Sequence, residues 1–270
     1  MAVSAWTPNR ALRRSPFKTP PLRLPGQSLD ERISELQDTF MQDAIITVFL
    51  ILLAGLEWVR WWVPMPPNPF PSTTLAVAAI IYTWRKRFHF VAMIRNLRLG
   101  RDGERVVGEL LEPLRGKGYR VFHDIPGANF NIDHAIVGPA GIFMIETKTR
   151  SKLTGGSHKM FYDGQAIRLE DGRSFQQPLK QARAQAQWLA NLLNDGRRTT
   201  FTVRPVVVFP EWYVERTRPR SKQDVWVLNP KALDGFLDHE PQVLSTDAID
   251  AVSHALTQHC RRPITEGSDE

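Results

Sequence analysis

The sequence predicts a mixed α/β domain preceded by an apolar helical hairpin. Three observations carry that expectation. A dense apolar block runs from Ala44 to Ile81. Beyond residue 100, short β-like runs alternate with amphipathic stretches of helical period. Asp133, Glu146 and Lys148 then stand at the ends of two adjacent β-like runs, where a purely structural sheet has no need of charge.

Composition narrows the classes. With 42 % hydrophobic and 23 % charged residues the chain can bury a core, and its net charge of +7 favours polyanionic partners, either nucleic acid or anionic lipid. Basic flanks of a membrane segment would explain the same charge. Cys260 is the only cysteine, which excludes an intrachain disulfide and a cysteine-built zinc site. The seven histidines show no HxxxH or HxH spacing.

The first 27 residues hold Arg10, Arg13, Arg14, Lys18 and Arg23, several prolines and no acid, and are expected to be disordered. No apolar core of a signal peptide follows the first charges. Ser28 and Glu31 read as a capping box that opens a helix, continued by Ile33, Leu36 and Phe40. Ala44 to Val63 is long enough to cross a bilayer, which takes roughly 20 residues. Glu57 and Arg60 can pair at i, i+3, and Trp58, Trp61 and Trp62 fit an interfacial belt. Pro64, Pro66, Pro67, Pro69 and Pro71 forbid helix continuation. A second, shorter apolar stretch, Phe70 to Trp84, ends at Arg85-Lys86-Arg87. Basic residues flank both apolar stretches and the turn between them is uncharged, so both ends are expected in the cytoplasm. A buried helical pair in a soluble protein is the alternative.

Asp102 can cap a helix with Val106, Val107, Leu110, Leu111 and Leu114 on one face. Strands are expected at Tyr119–His123, Ile132–Val137 and Ile142–Thr147, then a small hairpin around Asp163-Gly164. A helix follows from about Gln177 to Leu193, then buried strands at Val203–Phe209 and Val225–Leu228, and a last helix from Thr246 to about Gln258. There are no internal repeats.

The chemistry lies in Asn131-Ile132-Asp133 and Ile145-Glu146-Thr147-Lys148. Glu146 and Lys148, at i and i+2 of a strand, share a face. If the two strands pair with Val137 opposite Ile142, Asp133 falls opposite Glu146, with Cβ atoms ~5 Å apart. Opposed carboxylates destabilise a sheet unless neutralised, and a hard divalent cation such as Mg²⁺ does this. Such an ion activates water and offsets charge on a leaving oxygen, while Lys148 orients the water and stabilises the charge-rich transition state. His134 points to the other face and is expected to pack. Lys180, Arg183, Arg197 and Arg198 are candidates for a nucleic-acid surface, and His158 with Lys159 for a phosphate contact. No phosphate-loop, nucleophile-elbow or dinucleotide motif occurs.

This arrangement resembles the PD-(D/E)xK nuclease superfamily, and within it the nuclease-related NERD domain, over roughly residues 100–210. The matching residues are Gly108-Glu109, Asp133, Glu146-Thr147-Lys148-Thr149 and Pro178-Leu179-Lys180-Gln181. Asn131-Ile132 stands before Asp133 in place of the family's Pro-Asp pair. The resemblance implies a restriction-endonuclease-like α-β-β-β-α-β core. It also implies Asp133 and Glu146 as metal ligands, Lys148 as the catalytic lysine, Glu109 as a helix-borne acid near the metal and Gln181 as a polar site residue. The expected organisation is a basic tail and helix start over 1–43, a membrane-associated hairpin over 44–98, the nuclease-like domain over 99–240, and a C-terminal helix and tail over 241–270. The expected function is a nuclease anchored in the inner membrane, dependent on Mg²⁺ or Mn²⁺, acting on nucleic acid and foremost on DNA. Two rivals stand beside it: a non-catalytic module that binds nucleic acid or a protein at the membrane, and a membrane-organising scaffold.

Overall fold

A computed structural model describes residues 22–63, 70–150, 158–195, 200–217 and 224–261. Two long helices lead the chain, α1 (Gln27–Trp62) and α2 (Phe70–Leu111). They pack antiparallel. Phe40 stacks on Phe90 with ring centroids 4.7 Å apart, Thr47 and Thr83 share a 2.7 Å hydroxyl contact, and the Trp58 indole donates to the Thr73 hydroxyl at 2.9 Å. Lys86 pairs with Asp43 on the same seam. Among the described residues, α1 is the one helix long and apolar enough to cross a membrane. The hairpin keeps Ile45, Ile46, Phe49, Leu52, Val59, Trp62, Ile81 and Trp84 exposed. Scattered exposed apolar residues are ordinary, whereas these lie together on two packed helices.

Two expectations about these helices are corrected. The capping box at Ser28 does not form. The helix starts at Gln27 behind Gly26, and the Ser28 amide donates instead to Oδ2 of Asp124, 96 residues away, at 3.0 Å. Glu31 binds Arg23 and Gln27. Asp102 starts no helix either, because α2 runs unbroken through it. Three glycines, Gly100, Gly103 and Gly108, sit inside that helix, each costing about 1 kcal/mol relative to Ala. Gly103 is needed for a close approach: a Cβ there would stand 1.9 Å from Thr149 Cγ2. Packing against the strand end outweighs the local propensity.

A 3₁₀ turn, Glu112–Lys117, joins α2 to the sheet. Strands β1 (Arg120–Pro126), β2 (Asn131–Gly138) and β3 (Gly141–Thr147) form an antiparallel meander. Next come β4 (Lys159–Tyr162), β5 (Ile167–Leu169), β6 (Ser174–Phe175), α3 (Gln177–Asn194), β7 (Val203–Val208), β8 (Tyr213–Arg216) and β9 (Trp226–Leu228). Short α4 (Leu233–Asp238) and α5 (Thr246–Arg261) close the chain. The main sheet has the order β1-β2-β3-β7-β9, with β7 parallel to both its neighbours; a smaller sheet has the order β6-β5-β4-β8.

The main sheet is buried on both faces. One face meets α3 and α5 through Leu179, Ala182, Leu189, Val252 and Leu256. The other meets the last turns of α2 and α4 through Val107, Leu111, Leu233 and Leu237, packed on Ile136, Phe143, Ile145 and Trp226. Each fully buried Ile or Phe of this kind contributes about 1.5–3 kcal/mol. α2 is therefore held by the same core that carries the sheet. The segment before α1 is also ordered from Leu22 on, contrary to the expected loose tail. Arg23 donates from Nε to Oδ2 of Asp124 at 2.6 Å, and Asp124 is 1 % exposed. The expected tails at 1–21 and 262–270 lie outside the described residues.

Candidate active site

Strands β2 and β3 pair in the register His134↔Ile145, Ala135↔Met144, Ile136↔Phe143 and Val137↔Ile142. One step outward, Asp133 stands opposite Glu146. Ala135, Val137, Ile142 and Met144 belong to one core cluster, so Asp133 and Glu146, which alternate with them, leave the sheet by that same face. At this point the ladder changes partner. Oδ2 of Asp133 accepts the Thr147 amide at 2.6 Å, taking the place of a main-chain acceptor. The Lys148 amide turns the other way and donates to the Val208 carbonyl at 2.9 Å. β3 thus leaves β2 while still bound to β7, and the strand end opens where the charged side chains lie.

Glu146 is 2 % exposed. Its Oε1 accepts from Lys148 Nζ at 2.5 Å and from Gln181 Nε2, on the first turns of α3, at 2.8 Å. Its Oε2 is buried and has no hydrogen-bond partner among the described residues. A buried carboxylate oxygen without a donor is costly, so this atom is open to a further partner. Asp133, Glu146, Lys148 and Gln181 are therefore brought together.

Glu109 is not brought to this cluster. It is exposed and lines a cavity of about 360 Å³ with Leu24, Pro25, Phe122, His123 and Cys260. The acid that α2 does bring is Glu104, which the sequence reading did not single out. Burial first, then the charges of Asp124 and Glu146, push its carboxyl up to about 8 against the pull of Lys148 and of the Gly26 amide. Burial, Glu146 and Glu104 likewise raise Asp133 well above the usual carboxylate range. The sequence did hold a signal: the Gly-Glu pair occurs twice, at Gly103-Glu104 and Gly108-Glu109. Five residues apart on a helix, the two acids point about 140° apart, so one alone can face the strand end.

Carboxylates and one ammonium thus gather at this strand end, and the comparisons with known proteins point to a nuclease-related domain. Residues 99–210 match the family model of the nuclease-related domain, NERD, of the PD-(D/E)xK type. That match takes in less than half of the chain. Over 87 residues it is also 33 % identical to an uncharacterized protein of Bacillus anthracis, a stretch covering 30 % of this chain and 41 % of that protein. The chain thus spans less than half the length of that relative. Among solved structures, SfsA of Pyrococcus furiosus in complex with Ca²⁺ is similar at 16 % identity, over 46 % of this chain and 52 % of that one. Its TM-score of 0.22 is too low to bear on fold or function.

Divalent-metal use is a general trait of such domains. Among the described residues no three His, Cys, Asp or Glu side chains form a ready cage for an ion. The site's own hydrogen bonds hold part of the donor set: the Thr147 amide takes one oxygen of Asp133, and Lys148 and Gln181 take one of Glu146. The donor set still fits a hard cation, since it is made of carboxylate oxygens and includes the unpartnered Oε2 of Glu146.

Behind Asp133, His134 is buried on the opposite face, as expected. Its Nδ1 lies 2.9 Å from Nδ1 of His123, whose Nε2 lies 3.2 Å from Glu112 Oε1. Glu112 is held below its usual pKa, chiefly by Arg115, so it accepts and His123 donates from Nε2. His123 Nδ1 and His134 Nδ1 then share one proton between them, and the His134 ring also meets the Glu104 backbone. Burial lowers the pKa of both rings, and His123 lowers His134 further. Unfolded, the rings take up protons near pH 6.5. Their contribution to stability is full above that pH and is lost as pH falls below it. Glu104 and Asp133 titrate with the opposite sign, so the test is a difference. Between about pH 7.5 and pH 5 the parent should lose more thermal stability than His123→Gln. Equal losses would show that the rings are not held neutral.

The other basic candidates divide. Arg183 is tied to Asp224 at 2.6 Å and is not free for a ligand. Lys159 opens β4, and His158 makes an edge contact with Trp212. Arg197 and Arg198 lie outside the described residues.

Proposed function

We propose that this chain is a membrane-anchored, divalent-metal-dependent nuclease whose active site is Glu104, Asp133, Glu146 and Lys148. The observation that carries the reading is the convergence of these side chains at one strand end of a nuclease-related domain, with Oε2 of Glu146 buried and unpartnered. The element order α2-β1-β2-β3-α3-β7, with β7 parallel to β3, supports a restriction-endonuclease-like core.

In this reading Asp133, Glu146 and Glu104 hold Mg²⁺ or Mn²⁺. A bound ion supplies an acidified water and offsets charge on the leaving oxygen. Lys148, with 31 % of its side chain exposed, carries its ammonium to the mouth of the site. There it can orient the attacking water and stabilise the added negative charge on the phosphoryl oxygens. Gln181 fixes Oε1 of Glu146 and so aims Oε2. The net charge of +7 and the nuclease-related domain favour nucleic acid as substrate, DNA first. A non-catalytic module is the second reading, favoured by one observation: Lys148 and Gln181 already satisfy Oε1 of Glu146.

Membrane anchoring rests on the length and apolarity of α1, on the exposed apolar side chains of the hairpin and on its basic flanks. The positive-inside rule places both ends in the cytoplasm. One experiment tests the parts together. Vesicles bearing the full chain are given circular DNA with and without Mg²⁺ or Mn²⁺. Inverted vesicles should nick the DNA only with metal, and right-side-out vesicles should not. A chain absent from the membrane fraction overturns the anchoring, and no cleavage even after solubilisation overturns the nuclease in favour of the second reading.

A further inference from the structure

The segment that enters α1 lies lengthwise along α2, and its contacts bracket Glu104. Leu29 Cδ1 lies 3.4 Å from where a Cβ on Gly100 would stand. A Cβ on Gly26 would meet Arg101 Cγ at 3.0 Å, and one on Gly108 would meet Pro25 Cγ at 2.6 Å. Asp30 binds Arg101 at 3.0 Å and Arg105 at 2.5 Å. Residues 100, 101, 105 and 108 thus belong to the stripe of α2 on which the segment rests, and Glu104 lies within that stripe. The Gly26 amide faces its carboxylate. Gly26 has φ +71°, a conformation that a side chain would strain.

The far end of the segment is fastened to β1. Asp124, a buried residue at φ +48°, accepts from Arg23 Nε at 2.6 Å, from the Ser28 amide at 3.0 Å and, on its other oxygen, from Asn131 Nδ2 at 2.9 Å. Its carboxylate also faces the positive end of the α1 dipole. A non-glycine residue held at positive φ costs energy unless its surroundings fix it, and here three donors do. The nuclease mechanism uses none of these groups.

We infer that Arg23–Asp30 is a positioning strap that holds the Glu104 carboxylate at the active site, with Arg23 and Asp124 as its fastening. The inference rests on the reading of Glu104 as part of that site. It makes the matched segment 99–210 incomplete by itself, because one wall of the site comes from residues more than 70 positions upstream.

The test uses the full chain in detergent, with Mn²⁺ alone as the probe and no nucleic acid. Arg23→Ala should weaken Mn²⁺ binding ~10-fold, the lower end of what loss of a residue supporting a metal ligand costs. Arg23→Lys, which can still reach Asp124, should recover part of it. Coupling is reciprocal, so Glu104→Gln should speed hydrogen exchange at the Gly26 and Ser28 amides. If Arg23→Ala speeds strap exchange but binds Mn²⁺ like the parent, the strap merely anchors α1 and the inference is overturned. If the parent binds no Mn²⁺, the nuclease reading fails first. The strap is then judged by exchange alone, and unchanged exchange in Glu104→Gln overturns it.

Discussion

Lys148→Met should abolish metal-dependent cleavage while leaving the chain folded and able to bind the ion. The substitution keeps a long apolar stem and removes only the ammonium, which in the folded protein touches Oε1 of Glu146 at 2.5 Å. Two consequences follow with opposite signs. The transition state loses a preorganised positive charge, an effect of about 10²- to 10³-fold in other enzymes. The ion loses a like-charged neighbour and a competitor for Glu146, so its affinity should hold or rise. Calorimetric titration with Mn²⁺, run beside a nicking assay on circular DNA, reads the two effects separately. Undiminished nicking would remove Lys148 from the catalytic site.

Glu104→Gln and Glu109→Gln should differ sharply although they change the same residue type on the same helix. Glu104 shares the confined site with Asp133 and Glu146, so its loss removes a negative charge from the ion's surroundings. Cleavage should fall about 10- to 100-fold or more, with metal affinity falling alongside. Glu109 is exposed on another side of α2, and its replacement should leave both measurements within about twofold of the parent, as surface changes generally do. The reverse pattern would restore Glu109 to the role the sequence suggests and break the site as drawn here.

The β2–β3 register was legible because a two-residue loop between glycines leaves one pairing that buries Ile132, Val137 and Ile142. That register fixes the placement of Asp133 and Glu146. Long periodic elements such as α3 and α5 were legible for the same reason: their apolar stripes have one face to bury. Strand β8 was not, because Tyr213–Arg216 is an exposed edge with no apolar alternation. The start of α1 was misread because its cap comes from Asp124, and local sequence cannot report a partner 96 residues away. Glu104 was missed for a related reason. Choosing between two Gly-Glu pairs requires the rotation of α2 on the sheet, which Gly103 against Thr149 decides.

The continuity of α2 sets a distance. About 20 residues of unbroken helix separate Trp84, at the end of the apolar stretch, from Glu104. At 1.5 Å per residue that is a stand-off of roughly 30 Å. α1 returns alongside and is bolted at Gly26 and Asp124, so the post is double and resists bending. With its apolar turns in a bilayer, as proposed, the protein would be a fixed-height bracket rather than a domain on a flexible leash. The reacting centre would sweep a plane at one height above the lipid surface. Only polynucleotide brought to that height, parallel to the membrane or drawn through it, would come within reach.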